Sequence, residues 1–192
     1  YYNYTVLFSC QKERELLKKN YKNKHLSMYV PDPSLAELIR FEPEAAEERV
    51  VIIGSGPAGL MCAYFLAKCG RKPVIIERGA PMWERVEKVS KFWKDGLLDP
   101  ETNVSFGEGG AGTFSDGKLN TGVKDKTGKK RFILNTFIEH GAPEEIGYLA
   151  KPHIGTDELR NVISSMRQTI QELGGSYHFH TRFTGFEVCG TE

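Results

Sequence analysis

The stretch Val50-Val51-Ile52-Ile53-Gly54-Ser55-Gly56-Pro57-Ala58-Gly59-Leu60 decides how this 192-residue chain folds. Four β-branched residues in a row suit a buried strand. The glycines follow at G-x-G-x-x-G spacing, and Leu60, Ala63, Tyr64 and Ala67 then recur on one helical face. The first glycine permits the tight turn out of the strand. The second lets backbone approach a pyrophosphate, and the third lets the helix pack close to the strand. Phosphates would sit on the free N–H groups at the positive end of the helix. Gly70 is placed to end that helix, and residues 73–77 read as a second strand. A parallel pair joined this way is a right-handed βαβ unit. Glu77 lies 18 residues beyond Gly59, where it can accept hydrogen bonds from ribose hydroxyls. The pattern predicts an α/β chain with a three-layer, Rossmann-like dinucleotide-binding domain. A glycine-rich surface turn does not explain why three glycines and an acid fall together.

Downstream, Pro81 opens a helical pattern with Met82, Val86, Val89 and Trp93 on one face, ended by Gly96. Residues 103–122 hold six glycines and little periodicity. A helix over about 130–140 carries Ile133 and Phe137. Another over about 157–173 carries Leu159, Val162, Ile163, Met166, Ile170 and Leu173, with Thr156 as its N-cap. Residues 177–183 alternate as a strand, and the basic segment 124–130 reads as a surface turn.

Upstream, Tyr4, Val6 and Phe8 alternate in a strand over 1–10, a charged helix spans 11–20, and 26–30 reads as another strand. Pro31, Pro33 and Pro43 with Glu42, Glu44, Glu47 and Glu48 mark a linker. Residues 1–40 are thus expected to be the end of a small α+β module plus linker, and 41–192 the first part of the dinucleotide domain. The start at Tyr-Tyr-Asn-Tyr, without Met, reads as a trimmed or partial chain.

A net charge of +1 gives no support for nucleic-acid or acidic-membrane binding, and no apolar window reaches transmembrane length. Cys10, Cys62, Cys69 and Cys189 lack CxxC spacing, which favours reduced thiols in a cytoplasmic protein over disulfides or a zinc site. Cys62 and Cys69, seven apart on one helical face, read as small core residues. His178 and His180 share a strand face but find no third metal ligand, so no metal is expected. His153, before a helix cap, reads as a structural histidine rather than an acid/base group.

Which dinucleotide binds stays open between FAD and NAD on these residues alone. Glu77 opposes a 2′-phosphate by charge. The turn Gly-Pro-Ala-Gly and the run Glu77-Arg78-Gly79 resemble the flavoprotein version of the motif. The second cluster carries the choice: Asn103-Val104-Ser105-Phe106-Gly107-Glu108-Gly109-Gly110-Ala111-Gly112-Thr113-Phe114-Ser115-Asp116-Gly117-Lys118-Leu119-Asn120. With the 83–93 helix and Lys151-Pro152-His153-Ile154-Gly155-Thr156-Asp157, it resembles the family of uncharacterised FAD-dependent dehydrogenases, within the glutathione-reductase-like flavoprotein fold.

The resemblance covers most of residues 45–190 and implies an FAD-dependent oxidoreductase, with NAD(P)H as a candidate electron donor. It implies that Gly54, Gly56, Pro57, Ala58 and Gly59 hold the pyrophosphate, that Glu77 binds the adenosine ribose, and that Arg78 lies near the adenine. Gly109, Gly110, Ala111, Gly112 and Thr113 would run past the pyrophosphate, ribityl chain and flavin edge. Phe183 would meet adenine through its backbone. Lys118, with Ser115 and Asp116, is the candidate positive charge near the flavin and the one candidate catalytic residue. Such a family would continue beyond residue 192, so a missing C-terminal half is expected to complete the fold and to hold the substrate or electron-carrier site. The alternatives are an NAD-binding dehydrogenase whose 103–120 loop binds substrate, and a non-catalytic nucleotide- or RNA-binding fragment.

Overall fold

The computed structural model describes residues 6–29, 49–119, 121–122, 125 and 128–188. The chain divides into two units, Tyr1–Leu38 and Ile39–Glu192. The first unit contains α1 (Glu13–Lys19), within the expected 11–20. Glu13 and Glu15 at its start and Lys18 and Lys19 at its end complement the helix dipole. The two strands expected in this unit do not form at residues 6–10 or 26–29. Val6 and Phe8 stand exposed, and an alternating run becomes a strand only against a ladder partner. Tyr4, Val30 and the linker 31–48 lie outside the described residues.

The second unit runs β1 (Val51–Ile53), α2 (Pro57–Lys68), β2 (Val74–Ile76), α3 (Met82–Asp95), α4 (Lys129–Glu139), α5 (Thr156–Glu172) and β3 (Ser176–His178). The strands form one parallel sheet in the order β1-β2-β3, with Val51 opposite Val74 and Val74 opposite Ser176. Ile52 and Ile75 point into the core, where they join Leu60, Ala63, Tyr64 and Ala67 of α2 and Val162, Ile163, Met166 and Ile170 of α5. Both expected helical stripes are therefore core faces. Each fully buried aliphatic side chain contributes about 1.5–3 kcal/mol relative to exposure. Val51 and Ile53 point to the other face and are about half exposed.

Several boundaries differ from expectation for physical reasons. Helix α2 begins at Pro57, because proline at the first helical position gives up an N–H that has no helical partner. The N-cap of α5 is Gly155, not Thr156. The Thr156 hydroxyl donates to the Ser115 carbonyl instead, at 3.1 Å, and the Glu158 carboxylate accepts the Gly155 N–H. Strand β3 stops at His178 rather than continuing to Phe183. The chain turns at His180, in the left-handed region, so that its N–H reaches the Gly79 carbonyl and the Thr181 N–H reaches the Glu77 carbonyl. Trp93 and Leu173 lie at the exposed ends of their stripes, and Ile133 yields the buried face of α4 to Leu134. Cys62 is exposed and Cys69 half-buried, so neither is a core residue. Cys62 precedes Ala63 by one residue, about 100° around α2 from the buried face. Cys189, Asn120 and parts of 124–130 lie outside the described residues. Among the described residues no helix is long and apolar enough to cross a membrane.

The Tyr64 hydroxyl donates to Glu139 Oε2 at 3.2 Å from the floor of the α2 core face. Burial first, and then the Glu139 charge, push its phenol up to about 12. In an unfolded chain it titrates near ~10. The folded state holds the proton longer, so unfolding free energy is expected to fall as pH rises between those values. Denaturant melts at stepped alkaline pH check this. Tyr64→Phe should flatten the fall, leaving the part due to the partly buried Tyr177, whose pKa is also raised by burial. Identical slopes in the two proteins would remove Tyr64 as the cause.

Candidate functional site

The site starts at the C-terminal end of β1. Gly54 turns the chain with φ near +92°, and its N–H donates to the Ile76 carbonyl at 2.7 Å, so the first glycine ties the two strand ends together. A side-chain carbon on Gly59 would collide with the Gly54 carbonyl oxygen, which makes the third glycine a packing residue. At Gly54 and Gly56 the same carbon would meet nothing within 4 Å. These two positions face open space beside the first N–H groups of α2, as a phosphate cradle requires.

That space belongs to a cleft of about 460 Å³. It is lined by Gly54 and Gly56 from the first turn, by Glu77 and Arg78 after β2, by Phe106, Gly107 and Gly110 from the second glycine run, and by Arg182 and Phe183 after β3. The two glycine runs touch. The Gly109 N–H donates to the Ser55 carbonyl at 2.9 Å, and a carbon added at Gly110 would lie 3.1 Å from Gly56 Cα. The runs are separated in sequence by some fifty residues, and only the fold brings them together.

Glu77 sits at their junction, buried. Its Oε2 accepts the Ser55 N–H at 2.8 Å and the Ser55 hydroxyl at 2.9 Å. Its Oε1 accepts the N–H groups of Gly79 at 2.8 Å and Gly107 at 3.2 Å. A carboxylate offers about four lone-pair sites. All four directions are thus engaged by protein donors, and a ribose hydroxyl has to share or displace one of them. Arg78 donates to Glu101 Oε2 at 2.7 Å and lies 4.0 Å over the Phe106 ring. That hydrogen bond holds the Glu101 carboxyl below its usual range. Arg182 approaches the same carboxylate at 3.6 Å. Together with Phe183 these side chains make a cationic and aromatic end to the cleft.

The remaining candidates fall differently. Pro57 and Ala58 are exposed on the first turn of α2. Ala111, Gly112 and Thr113 belong to a single 3-10 turn, Ala111–Phe114, in which Thr113 is fully buried and Ala111 exposed. Lys118 is exposed and paired with Asp116, each raising the charged character of the other. It bridges to His153 across two short extended segments, where Leu119 N–H meets the Pro152 carbonyl and Ile154 N–H meets the Gly117 carbonyl. His178 is exposed, and His180 approaches Glu84 at 3.0 Å.

Three further charged residues are given no role by the motifs: Arg85, Glu108, which stands inside the second run, and Arg167. Arg85 is fully buried in α3, and Glu108 is fully buried between glycines. A signal existed for the first. Arg85 falls three residues after Met82 and four before Val89, on the face that otherwise buries apolar residues.

Comparison with known proteins adds the cofactor. The FAD-binding-domain family matches residues 49–84, from the start of β1 into α3. The cofactor of this fold is FAD. The open space at Gly54 and Gly56, where a side-chain carbon would sit, fits its pyrophosphate. The three-stranded parallel sheet with its helices is accordingly a Rossmann-like FAD-binding fold. An uncharacterized protein of Clostridium beijerinckii is 43% identical over 180 residues, covering 94% of this chain and 33% of that protein. A thiamine thiazole synthase of Saccharolobus islandicus is 36% identical over 64 residues, 33% of this chain and 22% of the synthase. The crystal structure of Thermovibrio ammonificans THI4 aligns with a TM-score of 0.38 at 20% identity, covering 68% of this chain and 38% of that one. The chain spans about a third of the length of its Clostridium relative.

Proposed function

We propose that this chain carries the FAD-binding part of a flavin-dependent oxidoreductase of the dehydrogenase kind, acting on a small molecule or electron carrier, with NAD(P)H as candidate electron donor. The observation that carries this reading is the meeting of the two glycine runs around one cleft, the first of them inside the segment 49–84 that the FAD-binding-domain family matches. Bound FAD supplies hydride or electron transfer, and the protein supplies binding, orientation and electrostatics.

In this reading Gly54, Gly56, Pro57, Ala58 and Gly59 present backbone and helix dipole to the pyrophosphate. Glu77 takes the ribose by exchanging one of its protein donors. Arg78 and Phe183 bound the adenine end. Gly109, Gly110, Ala111, Gly112 and Thr113 continue the groove toward the flavin, and Lys118 supplies positive charge beyond them. A later part of the same protein covers the open face of Val51 and Ile53 and carries the substrate site. In this reading the protein is cytoplasmic with reduced thiols, which the lack of CxxC spacing among its four cysteines supports.

The test is the visible absorbance of the purified full-length protein, followed by heat release and chromatography of the pigment. A yellow protein that releases FAD in near-equal molar amount is expected. A colourless protein that refuses added FAD but binds NADH favours a nicotinamide dehydrogenase. Salt-dependent RNA binding without flavin sinks the redox reading altogether.

A further inference from the structure

We infer that Arg85, Glu108 and Arg167 are positioning residues: a network of hydrogen-bonded charges, two of them fully buried, that sets the second glycine run against the first and thereby favours FAD over adenine nucleotides that lack the flavin half. The inference rests on the FAD reading and assigns residues that this reading leaves unused.

A run of glycines has no side chains with which to pack, and each glycine loses more backbone freedom on ordering than any other residue. What such a run does offer is carbonyl oxygens. Arg85 takes them from the start and the middle of the loop and adds a hydroxyl at its end. Its Nε donates to the Asn103 carbonyl at 3.0 Å, and Nη2 donates to the Val104 carbonyl at 3.0 Å. Its Nη1 donates to the Glu108 carbonyl at 2.6 Å and to Thr113 Oγ1 at 3.2 Å. A planar guanidinium fork makes these contacts at once, whereas a lysine ammonium radiates from one point and cannot. The fit is close: a carbon added at Gly107 would lie 2.6 Å from Arg85 Cδ.

Glu108 carries the same loop to two helices. Its Oε2 accepts the N–H of Met82, the first residue of α3, at 2.6 Å. Its Oε1 accepts Arg167 Nε of α5 at 2.7 Å. Its neighbours in sequence reach the other way, Gly107 N–H to Glu77 and Gly109 N–H to Ser55. One buried carboxylate thus stands between the helices and the cleft. Burying these charges is costly, and burial raises the Glu108 carboxyl despite Arg167 and Arg85. A requirement of stability alone is met more cheaply by apolar packing. The placement makes sense where a glycine run has to be held at a fixed distance from a ligand.

The experiment compares dissociation constants for FAD and for ADP, on full-length protein stripped of flavin. The variants are Arg167→Gln, Arg85→Lys and Glu108→Gln, each with a thermal melt. The expected result is a loss of FAD affinity of tenfold or more and at least fivefold larger than the loss of ADP affinity, because ADP meets only the part of the second run that lines the cleft beside Glu77, whereas FAD continues along residues 109–113. Equal loss of both ligands reveals general support of the domain and overturns the inference. FAD affinity within twofold of wild type overturns it too. Should Arg85→Lys fail to fold, Arg167→Gln decides alone, since Arg167 is partly solvent-exposed. Wild-type protein that binds neither ligand overturns the FAD reading, and this inference with it.

Discussion

Gly56→Val is expected to leave the apo fold standing and to remove FAD binding. The backbone at Gly56 is extended, with φ near −68°, so valine meets no conformational penalty of the left-handed kind. A carbon there meets no protein atom within 4 Å. The branched side chain would instead occupy the space beside the α2 N-terminus that a pyrophosphate needs. A hundredfold or larger loss in flavin titration is expected, with a melting temperature close to wild type. The neighbouring Gly59 gives the contrast, because any side chain there strikes the Gly54 carbonyl and should unfold the turn itself. Full FAD affinity in Gly56→Val would mean that the pyrophosphate lies elsewhere.

Glu77→Ala should act on the fold before it acts on the ligand. Removing the carboxylate strands three backbone N–H groups, of Ser55, Gly79 and Gly107, together with the Ser55 hydroxyl. A buried donor left unsatisfied costs about 1–3 kcal/mol, and water entering the cleft recovers part of it. The expected loss is therefore about 3–5 kcal/mol in the apo protein, large against typical domain stability. Denaturant unfolding without flavin measures it. Glu77→Gln, which keeps two acceptor sites but brings two donors toward Ser55 or Gly79, should fall in between. An apo protein as stable as wild type would mean that these hydrogen bonds are replaced by water at no cost.

Much of the fold was legible because its signals are local. The β-branched run, the glycine spacing and the helical stripes each follow from neighbouring residues, and the parallel β1-β2 pair follows from their order. The stripe on α5 predicted the face that packs on the sheet almost residue by residue. The misses fall where a distant partner decides. Strand β3 ends early because its backbone turns to bond the Gly79 and Glu77 carbonyls. Cys62 stands outside the core because α2 is buried about Ala63 and Tyr64, one residue further on.

The same division holds within the site. Sequence alone determined that a dinucleotide turn lies at residues 54–59, since the spacing of three glycines and an acid is itself a geometric requirement. It also singled out 103–120 as a second glycine-rich segment. Only the tertiary structure decided what the two runs do together. Glu77 stands in the sequence as a ribose ligand, and in the fold it is first a brace joining Ser55, Gly79 and Gly107. Arg85 and Glu108 stand in the sequence as unremarked charges, and in the fold they are the buried pair that holds the loop. The reason is physical. Glycine backbones carry no side-chain pattern to read, so their partners become visible only when the chain has closed around them.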